Sequence, residues 1–148
     1  MLMKIVYDNS KKIYAYRTTV SKYKSMADIR ELLEKFGAKG WVEIDHPAQN
    51  IKIIQFQIKD LSNSFATVHF EVPEVYYKNK KINKEVYLEN ESYRLLYIII
   101  KTKLLLAEYT DVLEAFLPNL LMENGVPLLK QVNTLCLLMA GNNENEGK

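Results

Sequence analysis

Cysteine is almost absent from this chain: among 148 residues only Cys136 carries a thiol. A single thiol excludes an intramolecular disulfide framework and fits a reducing compartment. Histidine is nearly as scarce, with His46 and His69 alone. Two histidines and one distant cysteine do not make a zinc site of recognisable spacing. The five glycines are isolated, so no Gly-rich phosphate loop exists. Long apolar runs are missing too. Lys101 and Lys103 interrupt the stretch that holds Tyr97–Ile100 and Leu104–Ala107, whereas a membrane span needs about 20 apolar residues. Residues 1–7 are few, include Lys4 and run into Asp8, so no signal peptide is expected. These absences predict a cytoplasmic protein off the membrane, with no cofactor and no metal.

What is present fits an ordinary globular chain. Hydrophobic residues make up 48% and charged residues 26%, which argues against wholesale disorder. The net charge is only +2, but it is unevenly spread. Residues 1–40 hold nine Lys/Arg against four Asp/Glu, and residues 78–84 hold four lysines and no acid. The segments between and after them are net acidic. Two basic segments on an otherwise acidic chain point to a polyanionic partner.

Residue patterns predict one α+β domain over 1–141 and a disordered tail over 142–148. Lys4–Tyr7 and Lys12–Thr18 flank Asp8-Asn9-Ser10 and read as a hairpin. Ser25 is the expected N-cap of a helix carrying Ile29, Leu32, Leu33 and Phe36, stopped by Gly37. Trp41–Asp45, Asn50–Lys59 and Phe65–Val72 read as strands. Ile54, Phe56 and Ile58 share one face, as do Val68, Phe70 and Val72. Pro73–Lys84 reads as a basic connector. Val86–Tyr109 reads as a long central helix with Leu95, Ile98, Ile99, Leu105 and Leu106 on its apolar side. Asp111 is positioned to cap a short helix, and Pro127 to open a last one. The expected fold is an antiparallel sheet of four to five strands packed against the long helix and further C-terminal helices.

Thr19-Val20, Lys24-Ser25, Ile29…Leu33 and Gly37-Ala38 resemble a family of small, largely uncharacterised phage and mobile-element proteins. Val68-His69-Phe70-Glu71-Val72-Pro73, Tyr93-Arg94-Leu95-Leu96…Ile100-Lys101-Thr102-Lys103-Leu104, Phe116-Leu117-Pro118 and Asn124-Gly125 extend the likeness over about residues 18–125. It implies a viral or mobile origin and a role near DNA metabolism. The layout is also similar to the ThermoDBP family, which implies single-stranded-DNA binding and oligomerisation through a Leu-rich C-terminal helix.

Three constellations carry possible chemistry. The first is basic and aromatic: Lys12, Tyr14, Tyr16, Arg17, Lys22 and Lys24, then Tyr76, Tyr77, Lys78, Lys80 and Lys81, with Trp41, Phe65 and His69 as a platform on the outer sheet face. Single-strand binding without sequence preference needs cations along phosphates and flat rings on which bases stack. The plain alternative is a solvated lysine face with tyrosines bridging core and water. The second is a Mg²⁺ nuclease reading, with Asp45 twelve residues before Gln57-Ile58-Lys59. It lacks an evident second carboxylate ligand. The third is the last helix, whose Leu128, Val132, Leu135, Leu138 and Met139 are the expected self-association surface, or a protein-assembly module in place of nucleic-acid binding. Cys136 reads as a buried structural thiol, and His46 as a turn residue. The leading expectation is a non-enzymatic, homo-oligomeric single-stranded-nucleic-acid binder with no catalytic residue.

Overall fold

Period-two alternation in residues 51–59 decides where the core lies. The computed structural model describes residues 4–8, 17–59 and 62–134. Strands β2 (Lys39–His46), β3 (Ile51–Lys59) and β4 (Phe65–Glu71) form an antiparallel meander in the order β2-β3-β4. On β3, Ile54, Phe56 and Ile58 are buried, and register sets them opposite Phe70, Val68 and Ala66 of β4. Phe56 stacks on Phe70 at 6.2 Å between ring centroids, and both meet Phe116 edge-on at 5.5 and 5.9 Å. Such aromatic pairs contribute about 0.5–1.5 kcal/mol beyond area burial.

Helices cover that inner face. α1 (Lys22–Lys35) sends Met26, Ile29 and Leu33 into the core. Its N-cap is Ser21, whose side chain accepts from the Lys24 N–H, and not the expected Ser25, which is buried inside the first turn. The helix ends as predicted. Gly37 takes φ +77°, its N–H reaches the Glu34 carbonyl, and the Ala38 N–H reaches the Leu33 carbonyl. α2 (Glu89–Ala107) buries Tyr93, Leu96, Ile100, Leu104 and Ala107. The expected face was turned away from this one: Leu95, Ile98 and Ile99 are only partly buried, and Leu105 and Leu106 are 50% and 51% exposed. A helix apolar around most of its circumference does not declare its inner face by periodicity. α3 (Val112–Phe116) is capped by Asp111, which accepts from the Leu113 N–H at 2.7 Å. It delivers Phe116.

The single sheet of four to five strands is not what forms. A second, separate three-stranded sheet pairs β1 (Lys4–Tyr7), β5 (Glu74–Asn79) and β6 (Lys84–Tyr87) in the order β1-β5-β6. The expected basic connector is therefore a hairpin, because Val75, Tyr76 and Tyr77 favour extended backbone and find partners in Tyr87 and Val86. That pairing also shortens the long helix, which starts at Glu89. Two acids, Glu89 and Glu91, lie in its first turn and suit its positive dipole end. β1 pairs in parallel with β5, Lys4 beside Glu74 through Tyr7 beside Tyr77. The partner expected for β1, residues 12–18, falls largely outside the described residues.

The smaller sheet joins α2 at one buried hydroxyl. Ser92 of α2 accepts from the Val75 N–H at 3.0 Å and donates to the Leu88 carbonyl at 2.9 Å. The Leu88 N–H in turn reaches the Val75 carbonyl at 2.8 Å. After α3, Leu120 bridges to Val68 at the edge of β4, and residues 128–134 are helical behind Pro127. The expected tail, 142–148, lies outside the described residues. No helix among those described is long and apolar enough to cross a membrane.

Removing the Phe116 ring leaves a cavity against Phe56 and Phe70. Phe116→Ala is expected to cost about 3–5 kcal/mol, read as a lowered urea midpoint.

Candidate nucleic-acid interface

The β5–β6 hairpin gathers basic and aromatic side chains at one tip. Lys78 pairs with Glu85 and Asn79 with Lys84, and residues 80–83 make the turn. Asn83 holds φ +48°, a left-handed position that asparagine tolerates better than most residues. The Asn79 side chain accepts from the Lys81 N–H at 3.0 Å, which closes the turn from inside. Lys80 reaches Asp8 at 2.8 Å, and this pair raises its pKa. Together Asp8, Tyr77, Lys78, Asn79, Lys80 and Lys81 line an open cleft of about 390 Å³. No ion pair involves Lys78 or Lys81 among the described residues. Parallel pairing makes β1 and β5 end at the same place, so Asp8, the last described residue before the basic-aromatic segment 9–16, sits at this tip. Lys12, Tyr14 and Tyr16 themselves lie outside the described residues.

A second set of cations and tyrosines runs from the smaller sheet to α1. Lys4 stands 4.8 Å from the centre of the Tyr76 ring, and Tyr76 packs on Tyr87 at 5.5 Å. Lys52 stands 5.4 Å from Tyr87 and 5.9 Å from Tyr93, and Lys22 stands 4.9 Å from Tyr93. Carboxylates accompany this row. Glu85 takes Lys4 at 3.0 Å, while Glu89 takes both Lys22 at 3.3 Å and Lys52 at 3.1 Å. Hydrogen bonding by Lys52 is the main reason the Glu89 carboxyl is held below its usual range. Burial is the largest influence on Lys52 and lowers it, yet the bond to Glu89 and nearby charges leave its pKa raised overall. Burial pushes the Tyr93 phenol well up.

Nearby, Asp28 accepts from Lys24 and, at 3.1 Å, from Arg94. The Lys24 bond is the largest cause of its lowered pKa. Lys22 and Lys24 are thus engaged with acids, and Arg17 precedes them, exposed, at φ +51°.

Trp41, Phe65 and His69 do not share one platform. Phe65 and His69 lie on the outer face of β4, paired with Lys59 and Gln55. Phe65 is 41% exposed, with the Lys39 ammonium 5.4 Å from its ring centre. His69 accepts at Nδ1 from the Gln55 amide at 3.1 Å, and burial lowers its pKa, so it is a neutral ring at pH 7. Trp41 turns to the other face, against the core margin. Arg30 lies 5.1 Å from its ring centre, and its Nε1–H donates to Glu43 at 3.1 Å. Strand parity decides this: Glu43 registers with the buried Ile54.

Parity also separates the nuclease residues. Asp45 registers with Lys52, on the face of Ile54, Phe56 and Ile58, whereas Gln57 and Lys59 point to the opposite face. The three side chains do not converge on one metal. No group of three His, Cys, Asp or Glu side chains among the described residues is placed to hold a metal ion. Of the expected oligomerisation residues, Leu128 is partly buried and Val132 is exposed. Leu135, Leu138 and Met139 lie outside the described residues.

Sequence reading missed Lys4, Lys52, Tyr87 and Tyr93. One signal was available: Lys52 occupies the parity of Ile54 and Phe56, and a charge on a core-facing register marks a place where the core ends. Comparison with known proteins finds no matching family model, curated protein or solved structure.

Glu89→Gln is expected to lower stability at pH 7 by about 0.2–1 kcal/mol per weakened pair, the range of exposed pairs. Because the folded carboxyl is depressed, its contribution is complete above the ordinary value of 4.5 and fades as pH falls through the folded value. Urea midpoints of the two proteins should therefore differ at pH 7 and converge in acid.

Proposed function

We propose that the chain binds single-stranded nucleic acid, without sequence preference and without catalysis, at the tip of the β5–β6 hairpin. The observation that carries this reading is the cleft lined by Tyr77 together with Lys78, Lys80 and Lys81. Phosphates need mobile cations, and bases need a flat ring within reach; the cleft offers both in one place. The basic-aromatic residues Lys12, Tyr14 and Tyr16 follow within eight residues of Asp8, which is bonded to Lys80. The row from Lys4 to Lys22 is less suited to phosphate contact, because Glu85 and Glu89 occupy all three of its cations, whereas at the tip Lys80 is paired with Asp8 and Lys78 and Lys81 have no ion pair among the described residues. Phe65 with Lys39 and Lys59 supplies a further ring beside cations on the larger sheet. The resemblance to phage and mobile-element proteins and to ThermoDBP favours DNA as the polymer.

The test is an anisotropy titration of fluorescent oligo-dT across salt. Binding should weaken steeply with salt, and Lys78→Ala/Lys80→Ala/Lys81→Ala should reduce the log–log slope by about 2, from roughly 0.7 per phosphate contact. Absence of binding at low salt, or a slope the triple variant leaves unchanged, overturns the reading.

A second reading, self-association through the helical layer, rests on Leu105, Leu106, Leu129 and Val132 standing exposed in one half of the chain. It predicts that Leu105→Lys/Leu106→Lys lowers the sedimenting mass of the wild-type protein. An unchanged mass, or a wild type that is already monomeric, removes it.

A further inference from the structure

A different cleft lies between β4, α2 and the helical residues 128–134. It measures about 380 Å³, within the range of about 300–1,000 Å³ usual for small-molecule sites. Phe70, Leu96, Ile99, Pro73, Pro118 and Leu129 give it apolar walls.

One polar group in this cleft lacks its natural complement. Lys103, half-buried on α2, donates to the Ala115 carbonyl at 3.3 Å. No carboxylate among the described residues accepts from it, although an ammonium carries three donors. The cleft's other lysine, Lys130, is by contrast bonded to Glu71. Burial alone lowers the pKa of Lys103, the signature of a cation taken from water without a counter-ion. An unmatched cation on the wall of an apolar cleft defines a ligand by its complement.

We propose that this cleft binds a small apolar carboxylic acid. The carboxylate pairs with the Lys103 ammonium, and the hydrocarbon body lies against Ile99, Leu96 and Phe70. His69, neutral at pH 7, and the Lys130–Glu71 pair line the remaining wall and add little net charge.

The experiment is methyl-detected NMR of the full chain with a panel of aryl and branched-alkyl carboxylic acids, each compared with its primary amide. Acids should shift the Ile99, Leu96 and Leu129 methyls saturably, with the amides at least tenfold weaker. Lys103→Met keeps the aliphatic stem and should erase the difference between acid and amide, with an unchanged melting curve verifying the fold. A readout in the wild type needs no variant: acid affinity should fall as alkaline pH neutralises Lys103, while amide affinity stays level. The proposal is overturned if acids and amides bind alike, if no acid in the panel shifts these methyls, or if acid affinity ignores Lys103 in both measurements.

Discussion

The packing of Phe56 between Phe70 and Phe116 determines which side of the larger sheet is interior. Once those rings are buried, Ile54 and Ile58 must face the same way, because a strand alternates every residue. β2 and β4 then inherit their inner faces through register. The helices follow, since α1, α2 and α3 supply the apolar side chains that cover that side. The same constraint dismantles the grouping of Asp45 with Gln57 and Lys59, and that of Trp41 with Phe65. Neighbours in a list of candidate residues are separated by the thickness of a sheet when their parity differs.

The smaller sheet depends on different forces. Val75 is its main buried anchor, and its backbone is held from both sides by Leu88 and Ser92 at the start of α2. Placing a serine hydroxyl there satisfies a strand N–H that has no strand partner in that position. This junction fixes β5 against the helical layer and leaves the far end of the hairpin projecting. The polar character of the tip is a consequence of distance from the core, and so is its availability to a charged polymer.

Much of this architecture was legible in the residues. The alternation of β3 and β4, the Gly37 stop, the Asp111 cap and the end of β4 at Pro73 each rest on a local rule, and each is present. The errors came where local rules conflict or are silent. Ser21 and Ser25 are both acceptable caps, and only the need to bury Met26, Ile29 and Leu33 together selects the earlier one. The connector with four lysines concealed a strand pair, because charge at the turn outweighed Val75-Tyr76-Tyr77 in a reading by composition. Parallel partnership of β1 with β5 has no local signature at all. The candidate cleft at the tip was legible as a basic segment next to tyrosines, but its meeting with Asp8 depends on that non-local pairing. Lys103 was not legible, since an unmatched polar group is defined by what folds around it.

The pairing of β1 with β5 has a consequence in time. Lys4 and Glu74 stand 70 residues apart along the chain, whereas β2 and β3 each pair with the strand that follows. During synthesis the meander has its partners as soon as residue 71 emerges, but β1 must remain unpaired until β5 exists. Closing so long a loop is entropically slow compared with forming a local hairpin. Among the described strands β1 thus waits longest for its partner, and the Asp8–Lys80 contact at the hairpin tip is completed only when that late closure is made.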